Sequence, residues 1–228
     1  MKRLLMTIVC VLGLAANSWA LQYTGNLTTA SGLFANSQWN DPDTKLMWTV
    51  TEGGDGLWTY YYNFVVPEKD ISHVIIEVSE TFTVVDNIKT GTTVGYDGPK
   101  LYTSTDQGAS NPGMPVGGVW GIKWNTESLT LEWTIVTDRA PMWGDFYSKD
   151  GNSVPISYAY STGFGYDTSA TIANGNAMDA DGHAWALVPD TEGGGGGGGS
   201  QVPEPGTLLL LGAGLFGLAI YGRRKMVK

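Results

Sequence analysis

The chain has 228 residues, with 13 Lys and Arg against 22 Asp and Glu. Between its two apolar ends, residues 21–201 hold 7 basic and 21 acidic side chains, a net charge of −14. Such a surface repels phosphate backbones and anionic lipid, which argues against nucleic-acid binding and leaves cations or neutral polymers as partners.

Met1-Lys2-Arg3, the apolar stretch Leu4 to Ala16 and the small-x-small site Ser18-Trp19-Ala20 read together as a secretory leader over residues 1–20, a substrate for signal peptidase. The sole cysteine, Cys10, lies inside it. The body therefore has no disulfide, cysteine metal cluster or thiol nucleophile, and about 170 residues must hold together by packing alone.

Residues 21–190 are rich in Thr, Val, Tyr, Trp and Gly, with turn signals at short intervals and no sustained 3.6-residue period. Strands are predicted over Gln22–Leu27, Lys45–Thr51, Leu57–Val66, Ser72–Glu80, Val116–Asn125, Leu129–Thr137, Ile156–Tyr160 and His183–Val188. Glu52-Gly53-Gly54-Asp55-Gly56 joins two of them as a hairpin turn. In Leu129-Thr130-Leu131-Glu132-Trp133-Thr134-Ile135 the period is two, placing Leu129, Leu131, Trp133 and Ile135 on one face. The pattern predicts an all-β domain, an antiparallel β-sandwich of jelly-roll or lectin-like form, with a closed barrel as the alternative.

Trp58, Tyr60, Tyr62 and Phe64 alternate on one strand face, with Tyr61 on the other. An exposed part of that set would stack on sugar rings, which makes Trp58 and Tyr60 candidate glycan contacts; core packing is the competing account. Trp143, beside Gly144-Asp145 and Tyr147, is read as a loop residue and a further candidate. Asn174-Gly175-Asn176 and Asp179-Ala180-Asp181-Gly182 offer oxygen ligands suited to calcium, with Asp179 and Asp181 as the candidate metal ligands. Asn, Asp and Gly are equally the vocabulary of plain turns, which also accounts for Asn40-Asp41-Pro42-Asp43-Thr44.

His73 and His183, the only histidines, form no catalytic or zinc spacing, and no nucleophile elbow is present. Glu77, Glu80 and Glu132 are the carboxylates nearest to a glycosidase pair. Glu77 and Glu80 are expected on opposite faces of an extended strand and Glu132 on the wet face, so all three read as surface groups. No threonine array of the flat, regular kind that orders water is evident. No catalytic residue and no bound cofactor are expected, and the domain reads as a non-enzyme.

Residues 191–201 include seven consecutive glycines and read as a flexible linker. Beyond it, Pro203-Glu204-Pro205 precedes an apolar run from Thr207 to Tyr221 and the basic residues Arg223, Arg224 and Lys225. The run is short for a bilayer span, and flanking basic side chains can snorkel to complete it. Positive charge at both ends predicts that both termini face the cytoplasm and the body lies outside.

Residues 202–228 resemble a PEP-CTERM sorting signal: the Pro-Glu-Pro motif, a transmembrane helix and a basic tail, coupled here to a leader. The resemblance implies a Gram-negative host, export, transient anchoring in the inner membrane and processing by an exosortase, followed by delivery to the cell surface or beyond. It implies nothing about catalysis. On this reading the protein has a structural or adhesive role beside exopolysaccharide in a biofilm, with a carbohydrate-binding module as the alternative and a polysaccharide-active enzyme after it.

Overall fold

In Trp58 to Val65 every second side chain is buried, and Trp58, Tyr60, Tyr62 and Phe64 all point inward. This strand, β4 (Trp58–Val65), lies in a four-stranded sheet with β1 (Gln22–Thr28), β3 (Lys45–Glu52) and β8 (Thr130–Thr137), in the order β1-β3-β4-β8. All three pairings are antiparallel. The β3–β4 connection is the expected hairpin, with Gly56 at a φ of 78° that favours glycine.

A six-stranded sheet faces it. It comprises β2 (Leu33–Ala35), β5 (Ile71–Glu77), β6 (Tyr96–Tyr102), β7 (Val119–Ser128), β10 (Phe146–Asp150) and β11 (Tyr158–Ser161), in the order β2-β11-β10-β5-β7-β6. A third, small sheet has the order β12-β13-β9, from β9 (Pro141–Gly144), β12 (Ala177–Met178) and β13 (Ala184–Pro189). A 3-10 turn (Ser37–Trp39) and the four-residue α1 (Val84–Asn87) complete the elements. The computed structural model describes residues 21–105, 111–151 and 154–189. The predicted leader, the linker and the sorting tail, with Pro203, Glu204, Pro205, Arg223, Arg224 and Lys225, lie outside the described residues. Among the described residues no helix is long and apolar enough to cross a membrane.

The fold is thus an antiparallel all-β sandwich, and its core is aromatic. Tyr62 of β4 stacks on Trp133 of β8 at 5.0 Å, and Trp133 packs at 6.0 Å on Trp124, which belongs to the opposite sheet. Phe64 meets Phe146 of the opposite sheet at 4.9 Å and Trp39 at 5.6 Å. β13 is buried along its whole length and touches strands of both large sheets. The Tyr62 hydroxyl donates to the Leu187 carbonyl at 2.8 Å, tying β13 to the four-stranded sheet.

Both edge strands of the four-stranded sheet are partly covered. Lys89 and Thr93 bond the backbone of β8 at Val136 and Thr134, and Asn174 and Gly175 bond β1 at Thr24. Such covering removes the open donors and acceptors that would invite edge-to-edge association.

Two expectations need correction, and several strands went unread. Leu129 does not share a face with Trp133. It is the single residue between β7 and β8, where the chain crosses from one sheet to the other, and it is 40 % exposed. Trp143 and Tyr147 are not in a loop, since they lie within β9 and β10. The strands β2, β6, β9, β10 and β12 carry no clear period-two signal; β9 and β10 are buried on both faces and so show no alternation.

Removing the Trp133 ring should open the inter-sheet stack. Trp133→Ala is expected to lose about 3–5 kcal/mol of stability, read from urea unfolding by circular dichroism. Thr59→Ala, on the solvent face of β4, should change it by less than about 1 kcal/mol.

Candidate functional site

Two carboxyl groups far apart in sequence meet where the sheets join. Glu77 ends β5, and Asp145 is the one residue between β9 of the small sheet and β10 of the six-stranded sheet. The Asp145 N–H donates to Glu77 Oε2 at 2.7 Å, and the Glu77 N–H donates to the Asp145 carbonyl at 3.0 Å. Asp145 Oδ1 accepts from the buried Ser161 hydroxyl at 3.2 Å, and its Oδ2 accepts from the Gly165 N–H at 2.8 Å. Glycine is required alongside: a Cβ at Gly144 would lie 2.4 Å from a Val188 methyl and 2.8 Å from Glu77 Oε2.

The pair borders a hollow of about 260 Å³ lined also by Glu80, Trp120, Gly118 and Gly165. The Trp120 Nε1 is shielded from solvent and has no hydrogen-bond partner among the described residues. Burial raises the Glu77 carboxyl to about 7, with the nearby Asp167 adding to the rise and the Asp145 N–H opposing it. Burial, then the Glu77 charge, hold Asp145 well above the usual carboxylate range. The reading of Glu77 as a plain surface group is therefore corrected. It is half-buried, and because β5 stops at Glu77 the chain turns and brings Glu80 to the same hollow. Glu132 is exposed on the outer face of the other sheet, as expected, and accepts from Asn63 at 3.2 Å.

Chemically, a carboxyl titrating near 7 has the protonation of a general acid. Three of the four oxygens in this pair are nonetheless committed to the protein's own donors. They clasp the end of β5, the β9–β10 joint and the turn after β11, and the arrangement is that of a structural pair.

The candidate glycan contacts are overturned by burial. Trp58 is 7 % exposed, Tyr60 0 % and Trp143 1 %, because all three belong to the core. The exposed aromatics lie elsewhere and include Phe34, Tyr61 and Tyr166. Phe34 stacks at 4.7 Å on Tyr160, directly opposite it in the β2–β11 pairing.

Asp179 and Asp181 do come together, and His183 joins them, with one ligand atom from each within 4.8 Å of the others. The turn's own bonds account for the arrangement. Asp179 Oδ1 accepts from the N–H groups of Asp181 and His183 at 2.9 and 2.8 Å, and its Oδ2 lies 2.8 Å from His183 Nδ1. The His183 ring stacks on Tyr166 at 3.9 Å. These residues are the ones that would hold an ion, and an imidazole beside two carboxylates suits a transition metal better than calcium. Asn174 and Gly175 instead cap the edge of β1.

His73 is a buried structural residue on a different sheet. Its Nε2 lies 2.9 Å from Asn111 Oδ1, while Asn111 Nδ2 donates to the Thr103 carbonyl at 2.7 Å, which fixes the amide and makes Nε2 the protonated nitrogen. Burial pushes the imidazole down to about 4, the Asn111 bond opposing this and the charges of Lys123 and Lys149 adding to it.

The raised Glu77 carboxyl has a consequence for stability. At low pH folded and unfolded chains both hold the proton; between the ordinary value near 4.5 and about 7 only the folded chain does. That contribution is complete below about 4.5 and disappears as pH rises through 7. Glu77→Gln, which keeps the acceptor for Asp145, is expected to flatten the fall in melting temperature between pH 5 and 8. At pH 8 it should exceed the parent by on the order of 1–2 kcal/mol, after allowance for partial exposure.

No curated protein and no solved structure matches the chain. Residues 201–225 match the model of the PEP-CTERM protein-sorting motif. At its C-terminal end the chain thus carries the PEP-CTERM signal of an exported protein that exosortase processes.

Proposed function

We propose that this is a non-enzymatic protein of the bacterial cell surface or extracellular matrix, with a structural or adhesive role beside exopolysaccharide. The observation that carries the reading is the sorting motif over residues 201–225. Three features of the chain support it. The body is strongly acidic and free of cysteine, as suits a soluble domain outside the cell that relies on no thiol chemistry. Among the described residues every tryptophan but Trp120, which lines the hollow, is buried in the core. The most perturbed carboxyl pair is occupied in holding strand ends together.

On this reading the leader is removed by signal peptidase, and the apolar segment 207–221 with Arg223, Arg224 and Lys225 holds the chain in the inner membrane of a Gram-negative host. Exosortase then acts near Pro203-Glu204-Pro205. The glycine run 193–199 spaces that motif from the last strand, so the enzyme reaches it without unfolding the sandwich.

Replacing Pro203-Glu204-Pro205 by three alanines should leave the chain unprocessed in the membrane fraction, while the parent appears as a shorter species outside the inner membrane. Immunoblotting of fractionated host cells reads this directly, and normal processing of the variant would remove the sorting assignment. Hydrolysis of polysaccharide by the purified chain that is lost in Glu77→Gln would remove the non-enzymatic one.

A further inference from the structure

The outer face of the four-stranded sheet differs in kind from the rest of this acidic surface. Its register sets two adjacent rows across all four strands. One runs Thr24, Thr49, Tyr61, Thr134; the other runs Gln22, Thr51, Thr59, Val136. Neither row contains a charged residue, although the body around them carries −14. The charged outward residues of the same sheet lie outside the two rows: Glu132 stands in the row adjoining Tyr61, whose hydroxyl hydrogen-bonds its carboxylate, and Lys45 lies one row further.

The rows are not the flat, regular threonine lattice that orders water, since Gln22, Tyr61 and Val136 interrupt them, but they do gather five threonines on one face. They come from four different strands, so no local spacing in the sequence reveals them. Neighbouring strands lie about 4.8 Å apart, which makes each row roughly 14 Å wide, and successive rows lie about 6.7 Å apart. Thr24 and Thr59 are exposed, Thr49, Thr51 and Thr134 are half-exposed, and Tyr61 stands 39 % exposed in the middle of its row.

We propose that these two rows bind an uncharged polysaccharide, lying along the hydroxyl-bearing face with a sugar ring against Tyr61; the proposal rests on the surface role given above and names its partner. Charge selects the class. A polyanionic glycan would be repelled by the acidic body, and a polycation would find beside the two rows only the Glu132 carboxylate, which Tyr61 and Asn63 already engage, whereas a neutral sugar chain meets neither obstacle. Shape agrees. Threonine hydroxyls, and the Gln22 amide at the margin, supply donors and acceptors, and an aromatic ring presents a surface for sugar C–H groups. The projecting Tyr61 ring breaks the flatness that a pure threonine lattice would need to match ordered water.

The test is affinity electrophoresis of the full chain, in a mild nonionic detergent, through native gels containing hydroxyethyl cellulose, dextran or polygalacturonate. The expected result is retardation by at least one of the two neutral polymers and none by the polyanion. Tyr61→Ala and Thr59→Lys should each weaken that retardation on the order of tenfold, while Tyr61→Phe should retain it. Thr59 is exposed, so Thr59→Lys tests the face even if Tyr61→Ala disturbs the fold. Free mobility in both neutral polymers, retardation by the polyanion alone, or equal retardation of Thr59→Lys and parent would each overturn the proposal. So would a dimer, seen by light scattering, that Thr59→Lys dissociates, since the face would then belong to a second copy. Sorting is read from processing at residues 203–205 and sugar binding from mobility, so the two readings fail separately.

Discussion

The structure depends on aromatic packing between two sheets that no disulfide joins. Tyr62, Trp133 and Trp124 form a chain of ring contacts from the β4–β8 side to β7, and Phe64 makes a second set, tilted on Phe146 and edge-to-face with Trp39. Each such ring removes a large apolar area from water. The packing is favourable enough to tolerate a cost. The indole Nε1 atoms of Trp48, Trp133 and Trp143 are buried with no acceptor among the described residues. Leaving such a donor unpaired costs about 1–3 kcal/mol. These tryptophans are retained for volume and area, and their polar atoms are an expense of using so wide a ring.

How much of this was legible follows from where the period-two pattern survives. Strands with one dry face and one wet face show it: β4 alternates along its whole length and β3 from Lys45 to Thr51, and their hairpin was plain in Glu52 to Gly56. The same rule hid β9 and β10, because a strand covered on both sides need not alternate. Gly144 and Asp145 made that stretch resemble a loop. Their actual causes are tertiary: Val188 leaves no room for a Cβ at Gly144, and Asp145 supplies the clasp at a joint between sheets. Leu129 failed for the complementary reason. Its alternation with Leu131 looks regular in sequence, but the chain changes sheets at that residue and the face it would have joined has already ended.

The sites were less legible than the fold because they are assembled across strands. Glu77 and Asp145 are 68 residues apart, and nothing local to either marks a partner. Once the order β10-β5-β7 places the end of β5 beside the start of β10, their meeting is unavoidable. The threonines of the outer face show the same limit, since each strand contributes one or two of them. By contrast, Asp179 and Asp181 were picked out by a motif that is local, and their bonds prove equally local: a carboxylate capping the turn that leads into β13.

Burial also explains why the aromatic content misled the search for a binding surface. Trp58 and Tyr60 sit on the inward side of β4 and Tyr61 on the outward side, so a shift of one residue in register would exchange the two sets. The hairpin with β3 fixes the register, pairing Trp48 with Tyr62 and Thr49 with Tyr61. It thereby commits Trp58, Tyr60, Tyr62 and Phe64 to cohesion and leaves Tyr61 outside, between threonines and the Glu132 carboxylate. The interior then needs every aromatic that faces it, because without disulfides those rings carry the stability. The outward positions are freed from that requirement, and their neutrality on so acidic a chain is not demanded by the core, which gives the recognition of an uncharged partner a physical footing independent of the sorting signal.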